Sequence, residues 1–446
     1  MTEIRRFNVK PLARVEGEGA LRVRVQGDAI EIAEFNIYEP PRFFEKLLVG
    51  REVREVPDIT ARICGICPVA YQMSACHALE KALGIAVTPE ISQLRRLLYC
   101  GEWLQSHALH VHLLHAPDFL GFESGFAMAA THPGLVENGL KLKALGNRVI
   151  DVIGGRAVHP INVTVGGFYK APSATEIRRL VPELEWGLET CLSLVASVAS
   201  FATPSLEVDY ESVALQHDSD YPMTDGMVVS SGSARTDSLR IAVEAYAEHF
   251  AERQVPHSTA LHSLRRGTQT PFLTGPVARM NLSRDRLPPR AASAAEACGL
   301  EFPIRNPYRS IVARAVEMAA ACELAAGIAR EATADIAPFR IDYEPRAGSG
   351  CHATEAPRGL LYHRYRLDDR GLVAEAEIIP PTSQNQAQVE EDLRGLLPSV
   401  LRLDDAEATR RCEMLIRSYD PCISCATHFL TLSVDRAAGE REDGTE

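Results

Sequence analysis

Four cysteines in two pairs carry the first chemical signal: Cys64 and Cys67 in RICGICPVAYQ, and Cys422 and Cys425 in DPCISCATH. Two residues between cysteines let both sulfurs turn onto one ion, and thiolates are soft ligands. Four of them closing on one site suit zinc, nickel or an iron–sulfur centre. The pairs stand some 350 residues apart, so they meet only if both ends of the chain return to one place. A structural zinc site usually takes its ligands from a compact knuckle or ribbon, and a chain able to build a large core has no need of one. The other seven cysteines (Cys76, Cys100, Cys191, Cys298, Cys322, Cys351 and Cys412) read as small buried apolar residues.

The elements that must position these sulfurs follow from hydropathy patterning. The chain has 446 residues, 46% of them hydrophobic, enough for a large core in one domain or two merged ones. Alternating apolar and polar residues over 7–38, with a turn at Gly27-Asp28, predict an antiparallel hairpin. Helical periods then predict helices near 91–116, 135–151, 173–202 with Ser173 or Thr175 as cap, 237–252, and 308–335 with an Ala-rich face. A second hairpin is expected at 359–380, and helices at 385–400 and 404–418 lead into the second cysteine pair. The expected fold class is α+β, mostly α, with a central helical bundle and small peripheral antiparallel sheets. A net charge of −12 disfavours nucleic acid and anionic membranes as partners. The segment MTEIRRFNVK lacks the apolar core of a signal peptide, and no apolar run reaches the roughly 20 residues of a membrane span. Scattered cysteines, odd in number at 11, fit a reducing cytoplasm rather than a disulfide framework.

Six segments, the last of them that of the second cysteine pair, occur in one order: RVEGEGAL (14–21), RFFEKLLVGRE, GGRAVHPINVTVGG (154–167), EAPRG (355–359), PPTSQN and DPCISCATH. With the cysteine pairs they resemble the large, catalytic subunit of nickel-dependent [NiFe]-hydrogenases, from the first strand to the last cysteine. The resemblance implies the large-subunit fold over 1–428 as one domain, with 429–446 as a C-terminal extension removed by a maturation protease after His428. It implies a Ni-Fe(CN)2(CO) centre held by four thiolates, Cys64 and Cys422 terminal on nickel and Cys67 and Cys425 bridging to iron. Dihydrogen is a very weak acid, so its heterolysis needs a Lewis-acidic metal and a nearby base. The resemblance gives the base to Cys422 and the outward proton relay to Glu16, a residue that taken alone is an ordinary strand-end acid.

The resemblance also implies that Arg358 faces the cyanides and the open edge of the metals, flanked by Asp118 and Asp420, and that Thr382 donates to a cyanide. Taken alone, Arg358 is equally a surface ion-pair residue, and either aspartate a turn or cap. Glu45, His428 and a backbone carbonyl near Ile378 match the ligands of a second ion, magnesium, or iron given the imidazole. The histidines at 107, 110, 112 and 115 spread around a helix and read as packed or hydrogen-bonded core residues.

Three departures concern hydrogen bonding around the metal: Tyr71 and Glu18 stand where the family commonly has histidine, and Gln384 where tryptophan is usual. RICGICPVAYQMSA is similar to the cytoplasmic, bidirectional, NADP-linked branch often called sulfhydrogenase. Such a subunit needs a small subunit with iron–sulfur clusters, flavin- and NAD(P)-binding diaphorase subunits and maturation factors; this chain carries no spare cluster motif and no nucleotide fingerprint of its own. The rival readings are a nickel-free respiratory relative with a structural or quinone-binding role, an energy-converting membrane-bound hydrogenase, and a structural zinc protein. Retention of all four cysteines opposes the first.

Overall fold

The computed structural model describes residues 4–9, 11–26 and 29–427. The chain opens as a three-stranded antiparallel sheet, Ile4–Val9, Gly19–Gln26 and Ala29–Ile37, paired in sequence order. The predicted 7–38 sheet is therefore present with one strand more; its Gly27-Asp28 turn lies outside the described residues.

The centre is helical. Helix Pro89–Leu109 packs on Pro133–Gly154, and Ser310–Glu331 packs on both Pro89–Leu109 and Val181–Ala199. Ser310–Glu331 is buried on nearly every face, which its run of alanines permits. The first of these pairs meets backbone to backbone: a Cβ on Gly146 would stand 2.6 Å from both the Gln105 nitrogen and the Gly101 oxygen. No side chain fits there, so glycine sets the interaxial distance.

Most predicted helices are found, with altered ends. The 91–116 prediction becomes Pro89–Leu109, capped by the Thr88 hydroxyl, followed by a π-helical turn His110–His115. The 173–202 prediction divides into Ala174–Arg178, capped by Ser173, and Val181–Ala199, which restarts with proline in its first turn. The 237–252 prediction fails. That stretch holds a strand Leu239–Ile241, single turns at Val243–Ala245 and Tyr246–His249, and a strand from Phe250. Its apolar residues do not form one stripe. Tyr246 and Phe250 stack on each other, and Tyr246 also stacks on Tyr362 of a separate sheet, so tertiary contacts override the helical period.

Helix Pro68–Leu83, absent from the sequence expectation, is buried on almost all sides and so shows no amphipathic stripe. It carries the first cysteine pair at its start. The expected 359–380 hairpin is the Gly359–Leu367 and Val373–Ile379 pair, joined by a third strand, Gly348–Ala356. This sheet packs directly on Pro68–Leu83. Helices Pro381–Val400 and Asp405–Ser418 then return the chain to the second pair. Among the described residues, no helix is long and apolar enough to cross a membrane.

Candidate metal centre

Each cysteine pair sits at a helix start. Cys67 immediately precedes Pro68, whose missing N–H costs nothing in the first helical turn, and Cys422 precedes the short helix Ile423–Ala426. The fold brings all four sulfurs together: they lie within 4.8 Å of one another and are buried. Cys64 and Cys422 Sγ are 3.5 Å apart, Cys67 and Cys425 Sγ 3.7 Å, and Cys422 and Cys425 Sγ 2.6 Å.

Arg42 ties the two loops. It donates to the carbonyls of Ile63, at 2.6 Å, and of Ser424, while its own N–H donates to the Thr427 carbonyl. The first loop is further held by Gln105, which donates to the Ile66 carbonyl, and by Glu102, which accepts the Val69 and Ala70 N–H groups at 2.6 and 2.9 Å. Glu102 is fully buried, and burial pushes its carboxyl well up despite those two bonds.

Four thiolates in one buried cluster repel one another. Hydrogen bonds from Cys422, Cys425 and Cys67 draw the Cys64 thiol well down, whereas burial and the neighbouring sulfurs push Cys422 well up. The protein alone supports ionisation of part of the set, and a cationic group is what lets all four ionise together. Soft donors, burial and convergence thus fit a nickel–iron centre.

Around the sulfurs, the predicted residues fall as follows. Glu16 is half-buried, and its Oε2 accepts from Cys422 Sγ and from the Ser424 N–H, both at 3.1 Å. The Glu16 carbonyl accepts the Ile423 N–H at 3.0 Å, so the N-terminal strand region and the second cysteine loop are locked by backbone as well. One step further out, Ser424 Oγ donates to Glu39 Oε2 at 3.1 Å.

Arg358 is buried. Its Nε donates to the Asp420 carbonyl at 2.8 Å and its Nη2 to Asp420 Oδ1 at 3.1 Å. Its Nη1 is buried without a partner among the described residues. Burial opposes the guanidinium charge, but Asp420, Cys422, Cys67 and Cys64 outweigh it and raise the pKa. An unspent donor on a guanidinium that feels the charge of the cysteine cluster fits an acceptor carried by a bound group, such as a cyanide. The tight approach of Gly275 helps seat this arginine: a Cβ there would meet the Arg358 carbonyl oxygen at 2.7 Å, and Gly275 sits at φ 110°.

The hydrogen bonds of Asp118 run to other arginines than Arg358: it receives Arg14 at 2.6 Å and both Nε and Nη2 of Arg417 at 2.8 and 2.9 Å. Burial works against its charge, but these guanidinium groups overcome it and leave the pKa lowered. Arg417 belongs to the helix Asp405–Ser418, so Asp118 braces the helix before the second pair.

Thr382 accepts the Cys422 N–H through Oγ1 at 2.9 Å, which places its hydroxyl beside the sulfurs. Gln384, in the position where tryptophan was usual, donates to the Leu360 and Ile379 carbonyls at 2.5 and 3.2 Å. Glu45 Oε1 accepts the Ile378 N–H at 2.7 Å, so those two lie together. His428 lies outside the described residues, as do 429–446.

Sequence reasoning missed Arg42, Glu102, Glu39 and a buried ion cluster. In that cluster Arg279 pairs with Glu317 at 2.7 Å and Glu355 at 2.9 Å, and donates to the Ala356 and Pro357 carbonyls at 3.0 and 3.1 Å. All three charged side chains are fully buried, with Arg279 over the Trp103 ring. The EAPRG loop is therefore clamped from behind. His107 joins through Glu317 at 2.9 Å, while His110 and His112 bond backbone carbonyls and His115 the Ser418 hydroxyl, matching the core reading of these histidines. Arg42 and Glu355 did stand in family-like segments, which was the available signal; Glu102 and Glu317 stood in none.

Comparison with known proteins gives this geometry a family. The profile of the nickel-dependent hydrogenases matches residues 42–133 and 304–428. The chain is 34% identical over 431 residues to Sulfhydrogenase 1 subunit alpha of Pyrococcus furiosus, covering 96% of this chain and 98% of that one. It is 30% identical over 490 residues to the NAD-reducing hydrogenase HoxS subunit beta of Cupriavidus necator, covering 98% and 99%. Among solved structures, an NAD+-reducing [NiFe]-hydrogenase in the H2-reduced state superposes with a TM-score of 0.85 at 27% identity, over 96% of this chain and all of that one. A [NiFeSe]-hydrogenase of Dm. baculatum shares the fold, with a TM-score of 0.78 at 22% identity over 96% of this chain and 100% of that one. With 34% identity to such a subunit over nearly its whole length, their fold and four convergent buried cysteines, this chain belongs to the nickel-dependent hydrogenase family as one of its large, catalytic subunits.

Proposed function

We propose that this subunit splits dihydrogen reversibly, with Cys64, Cys67, Cys422 and Cys425 holding a Ni-Fe(CN)2(CO) centre, and with electrons leaving through iron–sulfur clusters of a small subunit toward NAD(P). The observation that carries the reading is the cluster of four buried sulfurs with Glu16 hydrogen-bonded to one of them. When bound, the centre supplies the Lewis acidity and redox capacity that heterolysis requires. Cys422 Sγ takes a proton, and Glu16 Oε2, 3.1 Å away, receives it. Glu16 is half-buried and one serine from Glu39, which supports a path outward. Arg358 Nη1 offers a hydrogen bond to a ligand of the centre while Asp420 fixes the guanidinium plane. Thr382 accepts the Cys422 N–H, which leaves its own hydroxyl proton for a ligand of the centre.

Glu45, with the carbonyl of Ile378 and His428, is proposed to hold a magnesium or iron ion; the Glu45–Ile378 contact supports the pairing. The tail 429–446 is proposed to be removed after His428 by a maturation protease, and an intact mass of active enzyme that still includes it would refute this.

For the small subunit, an exposed apolar patch supports a docking face near the first cysteine loop. Val158, Ile161, Tyr169 and Phe339 are exposed by 46, 52, 48 and 39%. Backbone bonds from Tyr169 to Asn162 and from Phe168 to Phe339 hold the patch together, and His159 bonds the Ala61 carbonyl just before Cys64. The alpha- and NAD-reducing names of the relatives support diaphorase partners, and the absence of a membrane-length helix among the described residues is consistent with work in the cytoplasm. Infrared spectra with metal analysis on the enzyme purified with its partners test the reading: cyanide and carbonyl bands beside one nickel per chain are expected, and zinc without those bands would overturn it.

A further inference from the structure

A second cluster of metal-ligating side chains lies away from the cysteines. His257, in the connection between strands Phe250–Arg253 and His262–Arg265, and His262, at the start of the second strand, meet Glu390 of helix Pro381–Val400. One ligand atom from each lies within 4.8 Å of the others. His257 Nε2 is 2.7 Å from Glu390 Oε1, and His262 Nε2 is 3.9 Å from the same oxygen, too far for a hydrogen bond.

Three features separate this cluster from an ordinary imidazole–carboxylate pair. First, His262 is 2% exposed, and its Nε2, buried without a hydrogen-bond partner among the described residues, is held against the carboxylate that His257 engages. Second, the other nitrogen of His257, Nδ1, faces Glu34 Oε1 at 3.8 Å, longer than a hydrogen bond, and a small adjustment brings that carboxylate behind the ring, the usual support of a ligand imidazole. Third, Glu390 Oε1 also accepts the Phe35 N–H at 3.0 Å, which anchors the carboxylate.

We propose that His257, His262 and Glu390 form a second metal site for a divalent cation of the zinc class, with water in the fourth position. Two imidazoles and a carboxylate, without sulfur, suit a borderline cation better than magnesium, and three protein ligands leave one tetrahedral position open. The ligand atoms need only a small adjustment to reach distances of about 2.0–2.2 Å from a common ion. Occupancy joins the Ala29–Ile37 strand, the 250–265 hairpin and the helix whose first turn carries Thr382. The site is independent of the hydrogenase reading.

Cobalt(II) separates it from the cysteine centre. The partner-bound enzyme with its own centre in place is incubated with cobalt(II), desalted, and examined by metal analysis and absorption. One additional cobalt per chain is expected, with the comparatively intense visible d–d bands of four-coordinate cobalt in the difference spectrum against untreated enzyme and no added thiolate charge-transfer band. His262→Gln and Glu390→Gln are expected to abolish stoichiometric retention, and Glu34→Gln to weaken it by roughly tenfold. His257→Gln, at a partly exposed position, repeats the test should the buried variants misfold, folding being judged by circular dichroism. No retained cobalt, a thiolate band, or equal retention by a folded ligand variant would each overturn the site.

Discussion

Cys422 Sγ and Glu16 Oε2 are 3.1 Å apart, and neither group's role is visible from the other's neighbourhood in the chain. A relay carboxylate must exchange a proton, whereas an amide of the same shape can only hold the hydrogen bond. Glu16→Gln is expected to lower H2 oxidation and H/D exchange by about 10²–10⁴-fold while the cyanide and carbonyl bands persist. Loss of those bands would instead make Glu16 a structural residue. Arg358 is a second case in which geometry outranks charge. Lysine keeps the cation but cannot make the Nε and Nη2 bonds to Asp420 together with a third donor toward the sulfurs. Arg358→Lys is expected to cost at least about tenfold in kcat at unchanged nickel content, since a positioning error of this kind is realised in the transition state.

The loop that carries Arg358 depends on elements behind it. Arg279 holds the Ala356 and Pro357 carbonyls and is itself held by Glu317 of the Ser310–Glu331 helix and by Glu355. Burial works against the Glu317 charge, but Arg279 and His107 bring its pKa down to about 2. A carboxyl depressed on folding contributes stability above its unfolded pKa and loses it as pH falls through the folded value. The contribution here is thus full above about pH 4.5 and disappears toward pH 2, and the shift corresponds to about 3 kcal/mol. Glu317→Gln is expected to destabilise the neutral-pH enzyme by about 3–5 kcal/mol, because it leaves buried Arg279 undercompensated. Thermal midpoints of the two proteins should converge as the buffer is taken from pH 5 toward 2; a constant difference would contradict this account.

As an assembly, the molecule must pass electrons onward, and the exposed residues Val158, Ile161, Tyr169 and Phe339 neighbour a loop that His159 ties to the segment leading to Cys64. A docked apolar face gains affinity from desolvation, which a charge at its middle cancels. Ile161→Asp is expected to abolish co-purification of the small subunit while the isolated chain keeps its circular dichroism spectrum. Undiminished complex formation would move the docking face elsewhere.

Much of the site was legible in the residue string because its chemistry is carried by local motifs. The Cys-x-x-Cys spacing, the prolines after Cys67 and before Cys422, and the run EAPRG are short-range features, and the structure brings their residues to one place. The strongly periodic helices and the two alternating sheets were legible for the same reason. What the string did not show was every partnership made across the fold. Asp118 meets Arg14 and Arg417 rather than Arg358, Glu102 caps the helix after Cys67, and His262 faces Glu390 more than a hundred residues away. Nor did the all-round burial of Pro68–Leu83 or the stacked rings of 237–252 leave a periodic trace. Periodicity records which side of an element meets the core, and motif spacing records which ligands share a turn. The pairing of buried charges is a property of distances between elements, and those exist only once the chain has closed.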